Sequence, residues 1–111
     1  DGKGRLILRD KSYYDCTWKD GMPHGYGVCE ILYSSQEFAK TKYIGQFVNG
    51  KLEGIGDHYC YDQFGNLVIK YSGGFKEGRY WWKGNMLIYN RNGNIIESKT
   101  GWWDGDFLGD K

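Results

Sequence analysis

The chain has 111 residues and a formal net charge of +1, so its overall balance attracts neither nucleic acid nor an anionic membrane. Leu, Ile and Val together number 18 against 20 for Phe, Tyr and Trp, so any core must lean on aromatic rings. Eighteen glycines argue against long helices, each interior glycine costing about 1 kcal/mol, and no run is long and apolar enough to span a bilayer.

Gly2-Lys-Gly4 followed by Arg5-Leu-Ile-Leu8 reads as the tail of a truncated unit over residues 1–13. Tyr14 opens a string with Trp18, Gly21, His24, Gly25 and Gly27 that returns from Tyr43 with Gly45, Phe47, Gly50, Gly54 and Gly56. A third copy starts at Tyr71 with Gly73, Phe75, Gly78 and Gly84, and a worn fourth places Ser98, Trp102, Gly105 and Gly109 in the same slots. The repeats so delimited are 14–42, 43–70, 71–97 and a degenerate 98–111, within one domain spanning 1–111. Of 18 glycine slots 14 hold glycine where chance would fill about three, so the periodicity is real.

Each unit predicts a β-hairpin. A strand such as Tyr43 to Phe47 runs into a two-residue turn, Asp20-Gly21, Asn49-Gly50, Glu77-Gly78 or Asp104-Gly105, where glycine accepts the positive φ a tight hairpin needs. Return strands follow over Gly27 to Tyr33, Gly56 to Tyr61 and Gly84 to Tyr89. Longer turns join the units: Ser34 to Glu37, Asp62 to Asn66 and Asn90 to Asn94. In each Gly-x-Gly, two glycines spaced two apart would leave one face bare for neighbouring rings to cross. The expected fold is all-β: antiparallel hairpins in an elongated, curled single-sheet meander whose units touch mainly their neighbours. Trp82 takes a glycine position of the third Gly-x-Gly and predicts an interruption of regular stacking beyond it.

The string Tyr-x-Gly-x-Trp/Phe-x-x-Gly-x-x-x-Gly-x-Gly resembles the MORN repeat, the membrane occupation and recognition nexus. Tyr14 to Gly27 and Tyr43 to Gly56 match it closely, and the resemblance covers nearly the whole chain. Cys16 and Thr100 depart from it at the first glycine, Trp82 and Lys111 at the last pair. The usual unit is 23 residues, and later units here carry longer inter-hairpin turns. The resemblance implies a scaffold: arrays that bind helices or peptides along a groove, self-associate, and occur in cytoskeletal, ciliary and membrane-junction proteins. They also accompany lipid kinases and lysine methyltransferases.

No phosphate loop, nucleophile elbow, HExxH or paired-cysteine motif appears, which directs expectation away from catalysis. His58 and Cys60 share a strand face, but no third group to orient them is indicated. Cys29 and His58 hold equivalent positions two strands apart, about 10 Å, too far to share one metal ion. Cys16, Cys29 and Cys60 lack ligand spacing and read as reduced thiols of a cytoplasmic protein. The candidate partner-binding residues are the ladder Tyr14, Trp18, Tyr43, Phe47, Tyr71 and Phe75, together with Trp81, Trp82, Trp102 and Trp103. Adjacent tryptophans should point to opposite faces, so a one-sided core leaves one of each pair for contact.

The expectation is thus a non-catalytic adaptor without cofactor or metal, in the cytoplasm of a cytoskeletal or ciliary assembly. Its partners would be other proteins or further copies paired through strand edges at Gly4 to Leu8 and Trp102 to Leu108, not nucleic acid. Lipid is the weaker candidate, because basic residues are scattered. The alternatives are a small-ligand or lipid-headgroup module, for glycans or choline, and a docking segment of a larger enzyme.

Overall fold

A computed structural model describes residues 2–33 and 38–110. They form nine strands: β1 (Gly2–Ile7), β2 (Tyr13–Lys19), β3 (Met22–Leu32), β4 (Lys40–Val48), β5 (Lys51–Tyr61), β6 (Leu67–Lys76), β7 (Arg79–Tyr89), β8 (Ile95–Asp104) and β9 (Asp106–Gly109). Each pairs antiparallel with the next, so strand order in the single sheet is chain order and no helix interrupts the described residues. This is the expected all-β hairpin meander. Its Cα extents of 41 × 34 × 18 Å show a sheet twisted well out of one plane.

Local chemistry sets the turns. Asp20, Asn49 and Glu77 have φ of 52°, 49° and 51°, and the glycines after them 77°, 85° and 82°. Positive φ at both central residues is the hairpin turn whose twist matches that of the flanking strands. The fourth turn differs from the expected two-residue form. Asp104 pairs with Asp106, leaving Gly105 alone to reverse the chain. Between units, Asp62 to Asn66 and Asn90 to Asn94 make the same five-residue loop, each closed by a main-chain bond from its first amide to its last carbonyl. In each, the leading Oδ1 accepts two amides, from Phe64 and Asn66 or from Asn92 and Asn94. Leu8 to Ser12 closes in the same way with Lys11 in the slot of Gly65 and Gly93. The expected turn at Ser34 to Glu37 lies outside the described residues.

Successive units are stitched at their tips. The amides of Gly50, Gly78 and Gly105 donate to the carbonyls of Pro23, Leu52 and Tyr80, each two residues past the preceding turn glycine. His24 Nδ1 also accepts the Asn49 amide at 3.4 Å, and Glu53, in the same slot one unit on, accepts that of Glu77 at 2.6 Å. His24 thus serves as a link between neighbouring units.

The two glycines of each Gly-x-Gly do different work, where sequence reads them alike. A Cβ on the second, Gly56 or Gly84, would lie 2.6 Å or 2.1 Å from the ring or hydroxyl of Tyr43 or Tyr71. Those rings lie flat across bare backbone, and their hydroxyls donate to the carbonyls of Gln46 and Gly74. The first glycine sits where the return strand bulges, with φ of 95° at Gly25 and 75° at Gly54. Trp82 adopts φ 67° at the same place. In the first full unit the Cys16 side chain fills the space over Gly27, and the half-buried Tyr14 ring turns toward Trp18 and Phe47.

Register corrects the fourth unit. Cys29 faces Tyr43 and His58 faces Tyr71 across the unit boundaries, and the next such pair is Met86 with Lys99, not Ser98. Gly84 likewise faces Gly101, so glycine fills the slot that sequence alignment gave to Thr100. Trp103 then takes the place of Phe47 and Phe75. The spacing from ring to turn glycine is one residue shorter here, because the last turn has one residue fewer.

Candidate functional site

One sheet face carries the core. Cys29, Tyr43, Phe47, Tyr71, Phe75, Met86 and Trp103 form a buried cluster, with Tyr14, Leu52, Ile69, Tyr80, Ile88 and Phe107 packed against it. The rings meet edge to face along the ladder: Tyr43 with Phe47 at 5.2 Å, Tyr43 with Phe75 at 4.9 Å, Tyr71 with Trp103 at 5.3 Å. This is the arrangement that aromatic quadrupoles favour, each contact worth about 0.5–1.5 kcal/mol beyond area burial. Trp18 and Trp103, in equivalent slots, donate their indole N–H to the carbonyls of Gly4 and Gly84. The ladder therefore runs through the third unit to Phe107 without the interruption expected at Trp82.

Sequence reasoning missed Met86 within this core and Tyr80 packed against it. Tyr80 stacks on Tyr71 at 4.0 Å and 13°, meets Trp103 at 5.7 Å, and lies 2.7 Å by its hydroxyl from His58 Nδ1. A signal existed for Tyr80: Pro23, Leu52 and Tyr80 are apolar residues at one offset from the turn glycine in three units.

Two adjoining depressions of about 410 and 340 Å³ share Tyr33, Thr41 and His58 and make one groove along this face. Tyr14, Cys29 and Tyr43 line one end, and Cys60, Ile69, Tyr80 and Met86 the other. Lys51 is the single charged residue on its walls among the described residues. Of the predicted ladder, Tyr43, Phe47, Tyr71 and Phe75 are 2 % exposed or less and serve as its floor and support. Tyr14 keeps partial exposure at the groove wall, while Trp18 lies beyond it.

Burial sets the electrostatics of the groove. Desolvation lowers the His58 pKa to about 4 and raises the Cys29 and Cys60 thiols to about 11. Cys60 Sγ lies 3.9 Å from His58 Nδ1, with Tyr80 as the neighbouring third group. Both shifts favour the neutral forms, so at neutral pH the trio is a polar spot in an apolar wall and supplies no thiolate. Desolvation also pushes the Tyr71 hydroxyl up to about 12.

The paired tryptophans divide in two ways. Trp102 and Trp103 alternate as expected, Trp103 buried at 4 % exposure and Trp102 on the opposite face. Trp81 and Trp82 do not alternate: they stack on each other at 6.3 Å and 30°, both exposed. The positive φ of Trp82 breaks the two-residue period and swings its ring to the outer face, 6.1 Å from Trp102. Lys76 sits over Trp81, and Lys83 over both Trp82 and Trp102.

The family model described as MORN repeat matches residues 14–30 and 43–63. Comparison with curated proteins returns no match. The matched segments are the two units whose tips are stitched by His24 and Glu53.

Proposed function

The chain belongs to the MORN-repeat family, whose repeats are interaction modules for proteins and membranes, and we propose that it is a docking scaffold for another protein. The observation that supports this reading is the apolar groove along the ring face, floored by buried rings and open to solvent. Repeats that stack rings beneath a groove hold it in shape before a partner arrives, which lowers the ordering cost of binding. With one charged residue on the described walls, the groove selects uncharged apolar side chains, because a partner's charge would be desolvated there without compensation. His58, Tyr80 and Cys60 offer neutral polar atoms to a partner's main chain. A cytoplasmic setting suits three buried free thiols, and cytoskeletal or ciliary assemblies are where such a scaffold would be sought.

Thr41 tests this, because it lines both depressions and is only half-buried. Thr41→Arg should leave the circular dichroism spectrum and unfolding midpoint unchanged and abolish partner recovery in affinity capture, while Gln46→Arg, at an exposed position, should retain it. Undiminished recovery by a folded Thr41→Arg chain would refute groove docking.

A further inference from the structure

Opposite the ring ladder, the outer face carries a surface that protein docking does not use. Trp82 stands at its centre, 6.3 Å from Trp81 and 6.1 Å from Trp102, with Trp81 and Trp82 exposed by 37 % and 47 %. Beside the indoles runs a polar ladder set by register, Asp57 facing Ser72, Ser72 facing Asn85, and Asn85 facing Thr100 across four strands. The Ser72 hydroxyl donates to Asp57 Oδ1 at 2.6 Å, and that of Thr100 to Asn85 Oδ1 at 2.6 Å. These bonds hold the side chains in place and leave the Asp57 Oδ2 acceptor and the Asn85 amide donors for a ligand.

We propose that this surface is a carbohydrate-binding site for an oligosaccharide of pyranose rings, a function separate from the groove. A pyranose has a face of C–H bonds, which stacks on the electron-rich face of an indole, and an edge of hydroxyls that both donate and accept. The outer face offers both: exposed indoles, and next to them carboxylate, hydroxyl and amide groups on fixed strands. Two open depressions lie on this surface, one of about 370 Å³ lined by Ile55, Gly74, Trp81 and Trp82 and one of about 510 Å³ lined by Ser72, Asn85 and Trp102, room for successive sugar rings. Lys83, held against Trp82 and Trp102, adds an ammonium donor at the rim.

Charge argues against the other polymer that stacks on aromatic rings. A single nucleic-acid strand needs a positive groove for its phosphates. Here Lys76 shares one depression with Glu53, and Lys83 shares the other with Asp110, so the charges lining the two depressions cancel and the neighbouring Asp57 adds a negative one.

The test is titration of the chain with maltohexaose, cellohexaose, chitohexaose and xylohexaose, followed by tryptophan fluorescence and calorimetry, with the oligonucleotide dT10 as comparison. Trp82→Gly removes the central ring and restores the residue found at Gly25 and Gly54, so the variant should fold; Trp102→Ala and Asn85→Ala remove a second platform and the amide. At least one hexasaccharide should bind, with affinity falling about tenfold or more in Trp82→Gly and Trp102→Ala and severalfold in Asn85→Ala, unchanged in Thr41→Arg. No binding by any of the four at millimolar concentration, binding that these variants leave unmoved, or binding of dT10 alone overturns the proposal. Because Thr41→Arg reads the groove and Trp82→Gly the outer face, either can fail without the other.

Discussion

Gly84→Ala measures the packing that defines this repeat. The residue lies outside the left-handed region, so alanine meets no backbone penalty, and its effect is steric. The added Cβ would fall 2.1 Å from the Tyr71 hydroxyl oxygen and 2.4–2.5 Å from ring carbons, far inside contact distance. Tyr71 has nowhere to retreat: it is fully buried, stacked on Tyr80 and edge-on to Phe75 and Trp103. Lifting the ring costs about 1–3 kcal/mol as an overpacking defect. Losing the hydroxyl's bond to the Gly74 carbonyl adds about 0.5–1.5 kcal/mol. A total of roughly 2–4 kcal/mol is a large share of the 5–15 kcal/mol usual for a domain. Urea unfolding followed by fluorescence should therefore show the midpoint falling by about 1–2 M. Tyr71→Leu, which removes the hydroxyl and the far side of the ring, should absorb most of the cost, so the double variant is less destabilised than the sum of its parts. A loss below about 1 kcal/mol, or one that persists in full in the Tyr71→Leu background, would refute the account of the ring lying on bare backbone.

Lys11 has φ 79° in the loop slot that Gly65 and Gly93 fill elsewhere, so Lys11→Gly should stabilise the chain by roughly 0.5–1 kcal/mol and raise Tm by a few degrees; an unchanged or lower Tm counts against strain at that position. His58 has a folded-state pKa of about 4, below its unfolded value near 6.5, so the unfolded chain binds the extra proton. Its contribution to stability is complete above pH 6.5 and is lost as the pH falls toward 4, by roughly 3 kcal/mol at most. Across that window the wild type should lose stability relative to His58→Phe as acid is added, and parallel curves would show that His58 is not buried in its neutral form.

Much of this architecture is legible in the sequence because the turn glycines and the period-two rings are local signals. The three Asx-Gly or Glu-Gly turns and the ladder through Tyr43, Phe47, Tyr71 and Phe75 follow from spacing alone. What spacing hides is the sign of φ. Gly25 and Gly54 look like further bare positions for a ring, yet they bend the return strand, and Trp82 can stand in their place only because the bend points its side chain outward. Counting by two across that bend placed Trp81 and Trp82 on opposite faces. The one-residue shortening at Gly105 is equally invisible, since it deletes no glycine, and only the pairing of Met86 with Lys99 exposes it. Tyr80 escaped because its slot is apolar in kind but holds Pro23, Leu52 and Tyr80 in turn.

These departures in the third unit have a common root. In the first two units a side chain one residue before the bulge, His24 or Glu53, accepts the amide of the next turn. The third unit has Trp81 there, and an indole has no acceptor to offer. The turn it faces is the shortened one, whose Asp104 instead pairs with Arg79 at 3.2 Å, an exposed contact that contributes little. Relieved of stitching, Trp81 stacks on Trp82, which occupies a bend that glycine fills in its neighbours. Two substitutions in adjacent slots thus turn a joint between repeats into an exposed aromatic surface, while the rings on the other face carry the fold past them unchanged. That separation lets the outer face diverge toward a ligand without unpicking the core, because the buried ring ladder and the exposed indoles of Trp81 and Trp82 project from opposite sides of the sheet.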